Sequence, residues 1–245
     1  MEINSIQDLL AKLEELHQDQ NQDIWYRGQA SSEWPLKPYY LRLDGRQSES
    51  TLLKRFKQSA AMLIDTAPKE SFDWLFLMQH YGVPTRLLDW SESPLVALYF
   101  AVENLDKHGD EDGALWLLYP SELNKNAHIN NRDEDGYIPS FEDEELENYS
   151  VESLKSNTRV QLLPVATIAT RNNARIQAQH GVFTIHHHEN IALEDIGNRE
   201  HAVKLVIPQA SKEILKKQLA LLGYSKFQLF PELSSIGDII KESIQ

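Results

Sequence analysis

A chain of 245 residues, 41% of them hydrophobic, is long enough to bury the core of one large domain or of two small ones. Its formal net charge of −13 argues against general binding to nucleic acids or anionic membranes, because both need a basic surface. Cysteine is absent, which excludes disulfides and cysteine-type zinc sites, and no apolar run approaches the ~20 residues that cross a bilayer.

The first elements predicted are an amphipathic helix over residues 5–17 and a short strand over residues 23–29. Alternation along the strand places Trp25 and Arg27 on one face and Tyr26 on the other. The strand breaks at a glycine. An irregular stretch follows, and then a third element, a helix at about 50–65, is predicted from its apolar spacing.

Two strongly apolar helical segments flank a polar elbow near the middle of the chain. We expect the first to be capped by Ser71 and to end at Gly82, and the second to begin with Ser93 as N-cap and Pro94 at its first position. Polar groups between buried helices cost free energy unless they are satisfied or used. This elbow is therefore the first place to expect a site, and it contains Thr85, Arg86, Asp89, Trp90 and Ser91.

The second half of the chain is predicted to be richer in strands. An acidic, Asn-rich stretch at about 122–158 has little periodicity and predicts a loop-rich insertion. The fold class expected is α+β, a single domain over residues 1–245 with a helical N-terminal half on a mixed or antiparallel sheet. The strands predicted are 114–119, 165–170, 182–187, 202–207 and 227–230. The helices predicted are 211–222 and 233–240, and residues 174–180 are predicted to form a short helix or a turn.

Arg27 is followed by Gly28, which predicts a fixed cation beside open backbone at a strand end. The planar guanidinium suits a phosphate or a carboxylate. The alternative is an arginine in a structural ion pair.

The elbow offers a second candidate, Asp89. It lies just before a helix whose free N–H groups, after Ser93, suit an anion. Asp89 either serves a ligand, caps the helix locally, or pairs with Arg86 or Arg27. The whole elbow is equally consistent with a buried polar network that joins two helices. Trp90 either stacks on a planar ring or fills the core, and His80 and Tyr81 are placed to reach the same cavity.

A third candidate is the turn at Gln179 and His180, where an amide can bind a sugar hydroxyl or a substrate amide, or instead stabilise the turn itself. His186 and His188 share a strand face and suggest a metal, with His180 as a third ligand. Because no second spaced cluster completes the set, we interpret these histidines as solvated and expect no metal site.

Four motifs resemble the FRG domain family. The first is Tyr26-Arg27-Gly28, and the central one runs from Gln79 to Ser91 and continues through residues 93–101. The third runs from Arg175 to Phe183, and the fourth is Phe-Pro-x-Leu at residues 230–233. The resemblance covers nearly the whole chain.

The order of these motifs is also remotely similar to that of ADP-ribosyltransferases. Those enzymes place Arg or His on a first strand, Ser on a second strand and Glu or Gln in a late motif. The matching positions are Arg27, Asp89 to Ser91, and Gln179. The resemblance implies an NAD-using transferase or NAD glycohydrolase, in a toxin or antiviral-defence setting. The alternative is a non-catalytic module that binds a nucleotide, an anionic metabolite or a partner protein.

Cleavage of the nicotinamide–ribose bond passes through an oxocarbenium-like state that a carboxylate must stabilise. The late motif offers Gln179 and no Glu, so Asp89 or Glu92 is expected to supply the charge, while Arg27 and the helix start after Ser93 hold phosphate. The catalytic candidates are Arg27, Asp89 and Gln179, and the ligand-binding candidates are Tyr26, Gly28, Gln29, His80, Tyr81, Arg86, Trp90, Ser91, Ser93, Arg175, His180 and Phe183.

The expected partner is a nucleotide-like small molecule, with NAD as the substrate. The acidic insertion is a second candidate surface, for a protein partner. Because the N-terminus lacks the layout of a secretory signal, we expect a cytoplasmic location and no membrane contact.

Overall fold

The computed structural model describes residues 1–17, 22–64, 68, 70–129, 136–156, 161–169 and 173–243. Within them, six strands form one open sheet in which every neighbouring pair is antiparallel. The order across the sheet is β4-β5-β2-β1-β3-β6. The strands are β1 (Trp25–Gln29), β2 (Leu87–Ser91), β3 (Gly113–Leu118), β4 (Val165–Thr167), β5 (Gly181–Ile185) and β6 (Ala202–Ile207).

Helices connect these strands and cover the sheet. Two 3₁₀ segments, Glu144–Tyr149 and Leu193–Asp195, add to them. The α-helices of the described residues are α1 (Ile6–Leu16), α2 (Tyr39–Arg42), α3 (Glu49–Ala60), α4 (Ser71–His80), α5 (Pro94–Val102), α6 (Leu105–His108), α7 (Pro120–Asn126), α8 (Val151–Ser156), α9 (Ala174–Ala178), α10 (Gln209–Leu221), α11 (Lys226–Leu229) and α12 (Leu233–Ser243). The α+β class expected from the sequence is confirmed.

The two central strands, β1 and β2, are joined at one end only. Tyr26 lies opposite Ser91, and no further residue of β1 is in register with β2. By contrast, β1 pairs with β3 along its whole length, and β2 does the same with β5. The sheet is therefore split along its middle, and a cleft opens where the two strands diverge.

The helix α5 lies directly on β1 at Gly28. A Cβ atom at this position would lie 1.8 Å from the carbonyl oxygen of Ala97, so only glycine allows this approach. On the same face, Tyr26 packs in a core with buried apolar residues of α1, α5, α10, β3 and β6, including Leu9, Leu98, Leu115, Leu205 and Leu215.

The opposite face and the β4–β5 end of the sheet have cores of their own. Trp25, Leu88 and Trp90 pack with Trp116 and Leu123 on the opposite face. At the β4–β5 end, the core is formed by residues of α3, α4, α8, the first 3₁₀ segment and the strands, among them Leu53, Leu75, Met78, Leu146, Tyr149, Phe183 and Ile185.

Several elements differ from those predicted. The polar elbow is a central strand, β2, because alternation buries Leu88 and Trp90 on one face of the sheet and leaves Asp89 on the other. The strand predicted at 227–230 is wrong: α11 occupies it, and its Leu229 is buried instead of pairing with a sheet edge. Helix α3 ends at Ala60 rather than near 65, and residues 65–67 lie outside the described part.

Two expectations about polar segments also need correction. In the acidic stretch at 122–158 the structure shows three helical segments, and Leu146, Tyr149 and Val151 are buried in the core, although residues 130–135 and 157–158 lie outside the described part. His186 and His187 are buried, not solvated, and burial lowers the pKa of both, to about 3 and about 4. They are therefore neutral at pH 7.

Helix starts were predicted with mixed accuracy. Ser5 and Ser93 act as N-caps as expected, accepting from the backbone N–H groups of Asp8 and Val96. Ser71 and Ser211, however, lie inside their helices, after Glu70 and Pro208. Among the described residues, no helix has both the length and the apolar character needed to cross a membrane.

The contact of α5 with β1 can be tested with Gly28→Ala. The new methyl group meets backbone that cannot move without displacing α5, so we expect unfolding in urea to show a loss of about 3 kcal/mol. Gly237→Ala in α12 is the matched control, because nothing lies within 4 Å of the added Cβ there. That control should leave stability unchanged or raise it slightly. Equal effects of the two variants would contradict the contact.

Candidate functional site

A cleft of about 850 Å³ lies where β1 and β2 diverge. Its walls come from these two strands and from α4, α5, α9 and the segment after β1. Charged groups in its lining include the cations Arg27, Lys37, Arg42 and Arg175 and the carboxyl groups of Asp73, Asp89 and Glu103. On a chain whose net charge is −13, this concentration of cations is a local reversal of charge.

Asp89 stands at the centre of the lining. Its side chain is open to the solvent in the cleft, while protein surrounds it on the other sides. This partial enclosure raises the pKa of Asp89, and the positive charges of Arg27 and Arg175 and a hydrogen bond from Gln79 oppose that rise. The carboxylate thus feels the positive charges of two arginines, and among the described residues it makes no ion pair within 4 Å with either.

A directed series of hydrogen bonds fixes the orientation of this carboxylate. The backbone N–H of Leu87 donates to Thr85 Oγ1 at 3.3 Å, and the Thr85 hydroxyl donates to Gln79 Oε1 at 2.5 Å. Because the oxygen of the Gln79 amide is occupied in this way, its nitrogen faces Asp89 and donates to Oδ1 at 2.5 Å. Among the described residues, Gln79 is the one side chain that donates to this carboxylate, which keeps acceptor capacity for a ligand.

Arg27 bridges the gap between the diverging strands. Its Nη1 donates to the backbone carbonyl of Asp89 at 2.6 Å, an acceptor that a fully paired β1 would otherwise satisfy. Its Nε is buried with no hydrogen-bond partner among the described residues. Burial lowers the pKa of Arg27, the charge of Asp89 raises it, and the like charge of Arg42 lowers it further. Donors of this guanidinium are left for a ligand.

Gln179 borders the cleft just before β5, and hydrogen bonds hold it in place. Its side-chain nitrogen donates to the carbonyl of Leu229 in α11 at 3.0 Å. Its backbone carbonyl accepts from Ser91 Oγ at 2.7 Å, and this hydroxyl also accepts from the backbone N–H of Ser93. Gln179 thereby connects β2 to α11, and its amide nitrogen is already engaged.

The C-terminal segment packs against residues that line the cleft. The guanidinium of Arg175 lies 4.6 Å from the centre of the Phe230 ring, and that ring packs edge-on against Phe100 at 5.8 Å. His80 Nε2 lies 3.8 Å from a carboxylate oxygen of Glu232. Burial and the charge of Arg175 lower the pKa of His80, against the effect of Glu232.

Glu103 is a second carboxyl group at the cleft. Burial raises its pKa, and the charges of Lys226, Lys216 and Arg175 oppose that rise. The side chain of Lys216 also donates to the backbone carbonyl of Glu103 at 3.0 Å. Glu103 is therefore the main alternative to Asp89 as a carboxylate that meets a ligand.

The structure brings together eleven of the fifteen residues proposed from the sequence. The three catalytic candidates, Arg27, Asp89 and Gln179, all line the one cleft. The other candidates that line it are Tyr26, Gly28, Gln29, His80, Trp90, Ser91, Arg175 and Phe183.

Four proposed residues do not line the cleft. Tyr81 is 67% exposed and packs beside Phe56, and His180 is exposed in a turn with a positive φ of 46°. Ser93 is used as the N-cap of α5. Trp90 lines the cleft but is buried, and its indole N–H donates to Thr184, while the exposed Tyr81 lies outside the cleft. Neither ring is therefore available to stack on a ligand inside it.

Arg86 is the fourth, and its role is structural. Its Nε lies 2.6 Å from Glu49 Oε2, its backbone N–H donates to Glu49 Oε1, and its guanidinium donates to the carbonyls of Tyr149 and His186. Both charged groups are buried. A buried pair of this kind is costly to break, since one charge would be left uncompensated.

Sequence reasoning missed several residues of the lining. Gln79 belongs to the central motif, but its contact with Asp89 depends on β2 being a strand beside α4, which the sequence did not predict. Trp34, Lys37 and Arg42 come from an aperiodic stretch that gives no signal. Trp34 is half-buried, and its ring packs edge-on with His108 at 5.0 Å.

Within the described part of the chain, no group of three His, Asp or Glu side chains has the arrangement needed to hold a metal ion. His186 is buried beneath the Arg86 network, while His188 is exposed. The two therefore do not share an accessible site.

Comparison with known proteins gives one match. Residues 22–111 match the model of the FRG domain. This range includes β1, α4 and β2, and hence Arg27, Gln79 and Asp89, and it ends before Arg175 and Gln179. No curated protein and no solved structure matches the chain.

The hydrogen-bond series from Thr85 to Asp89 can be tested with Thr85→Val. Without the hydroxyl, Gln79 is free to rotate its amide, Asp89 loses a donor, and the pKa of Asp89 should rise. The titration of the Asp89 carboxyl carbon by NMR measures this directly. Thr85→Ser keeps the hydroxyl and should titrate as the unchanged protein does. A titration that Thr85→Val leaves unmoved would show that the series does not hold the carboxylate.

Proposed function

We propose that this chain, which contains an FRG domain over residues 22–111, is an NAD-using enzyme of the ADP-ribosyltransferase type. Its reaction is either transfer of ADP-ribose to an acceptor or hydrolysis of NAD. The observation that carries the proposal is the position of Asp89, a carboxylate on β2 held open to a cleft between Arg27 and Arg175.

The cleft has the size and charge that such a substrate needs. Its volume of about 850 Å³ lies in the range of ~300–1,000 Å³ common for small-molecule sites. The cations in its lining favour the diphosphate of a dinucleotide. Trp34, which is half-buried in the lining, offers an aromatic ring for a base.

The proposed chemistry assigns one step to Asp89. The bond between the nicotinamide nitrogen and the ribose carbon breaks, and nicotinamide leaves with the bonding electron pair. Positive charge then develops on the ribose, and the carboxylate of Asp89 stabilises it. Water or an acceptor adds to the ribose carbon and loses a proton. Arg27 binds the adjoining phosphate, and Gln179 stays in its hydrogen bonds as a wall of the site.

Asp89 is preferred to the other carboxylates on geometry. Glu92 was the sequence-based alternative, but it does not line the cleft. Glu103 does line it, yet among the described residues no hydrogen-bond series like that of Asp89 orients its carboxylate. The resemblance in motif order to ADP-ribosyltransferases supports the same choice, since Asp89 to Ser91 are the positions that match the second-strand motif of those enzymes.

The test is nicotinamide release from NAD by the purified protein. Asp89→Asn keeps the shape of the side chain and removes its charge, so we expect release to fall about a hundredfold or more. Asp106→Asn, an exposed change in α6 outside the cleft, should release nicotinamide at the original rate.

Three outcomes would change the proposal. Loss of activity in Glu103→Gln but not in Asp89→Asn would reassign the carboxylate. Saturable binding of NAD without release would indicate a binding module instead of an enzyme. Absence of both binding and release would refute NAD as the ligand.

A further inference from the structure

A smaller recess of about 180 Å³ adjoins the cleft and shares with it the side chains of Arg27, Arg42, Gln79 and Asp89. Arg27 comes from β1, and Arg42 is the last residue of the short helix α2. The recess therefore presents two guanidinium groups beside the candidate catalytic carboxylate.

The two arginines repel each other, and the carboxylate of Asp89 attracts Arg27 but has no comparable effect on Arg42. The charge of Arg42 lowers the pKa of Arg27, which shows that the two cations interact. Among the described residues, neither makes an ion pair within 4 Å. Two like charges that line one recess cost free energy, and an anion bound between them lowers that cost.

The donors of these groups are only partly used. Arg27 spends one N–H on the carbonyl of Asp89, and its buried Nε has no partner. The guanidinium of Arg42 lies 5.5 Å from the centre of the Tyr39 ring, and it donates no hydrogen bond to the described residues. Planar forks of this kind suit the oxygens of a phosphate.

We infer that Arg27 and Arg42 together bind the phosphate attached to the same sugar that faces Asp89. The inference rests on the proposed function, because it takes Asp89 as the group that meets the ribose. In a nucleotide the 5′-phosphate is bonded to that sugar, so its site must adjoin the carboxylate, as this recess does. The sequence suggested that the start of α5, after Ser93, helps to bind phosphate, but Ser93 does not line the cleft. Arg42 takes that role instead.

Arg46 provides a matched control for Arg42. It lies in the same segment of the chain and also packs on a tyrosine, with its guanidinium 4.9 Å from the centre of the Tyr40 ring. One of its N–H groups donates to the carbonyl of Leu43 at 3.1 Å. Arg46 does not line either the cleft or the recess.

The experiment compares two probes by calorimetry. Nicotinamide mononucleotide carries the 5′-phosphate, and nicotinamide riboside is the same molecule without it. The unchanged protein should bind the mononucleotide about ten times more tightly or better, because charge-assisted hydrogen bonds to phosphate are strong. Arg42→Gln should remove most of this preference and leave riboside binding as it was. Arg46→Gln should keep the full preference.

Two results would overturn the phosphate site. One is an unchanged protein that binds the two probes equally or binds neither. The other is an Arg42→Gln variant that loses no more preference than Arg46→Gln.

The two proposals fail separately. A preference that depends on Arg42, in a protein that releases no nicotinamide from NAD, supports the phosphate site and contradicts only the enzymatic reaction. Release that depends on Asp89, without any effect of Arg42 on the two probes, supports the enzyme and overturns only the phosphate site.

Discussion

The separation of β1 from β2 is the constraint on which the cleft depends. Splitting a sheet leaves backbone groups without partners, and such groups are costly when enclosed. Arg27 meets this need by donating from its side chain to the carbonyl of Asp89 across the gap. Gly28, the next residue, lets α5 lie against the back of β1. The motif Tyr26-Arg27-Gly28 therefore has a structural role at the split in the sheet, and the guanidinium of Arg27 also faces the cleft.

Buried polar contacts separate the scaffold from the site. Arg86 is fully engaged by Glu49 and by two backbone carbonyls, so it joins α3, β2 and the segment after β5 and has little left for a ligand. Asp89 is different, because one of its carboxylate oxygens accepts from Gln79 and the side chain opens into the cleft. Arg86 and Asp89, three positions apart in the central motif, thus serve different purposes: Arg86 holds the scaffold together, and Asp89 faces the cleft.

Much of this arrangement follows from the sequence, and the rest needs tertiary information. Proline and serine at residues 93–94 predicted the start of α5, and alternation predicted the two faces of β1. The elbow was misjudged because a five-residue strand between two apolar helices has too few residues to reveal a period of two. Arg42 and Trp34 lie in an aperiodic segment, and only the fold brings them to the cleft. Tyr81 is the opposite case. Its position in the central motif suggested that it reaches the cleft, but its side chain is exposed and lies outside the cleft lining.

The central claim is that a nucleotide occupies the gap between the two central strands. Titration with ADP-ribose, followed through the backbone amide signals of the protein by NMR, tests it most directly. The signals of Gly28, Asp89 and Gly181, which line the cleft from three neighbouring strands, should shift together and saturate at one affinity. Shifts confined to α10 and α12, away from the cleft, or no shifts at all, would contradict the claim.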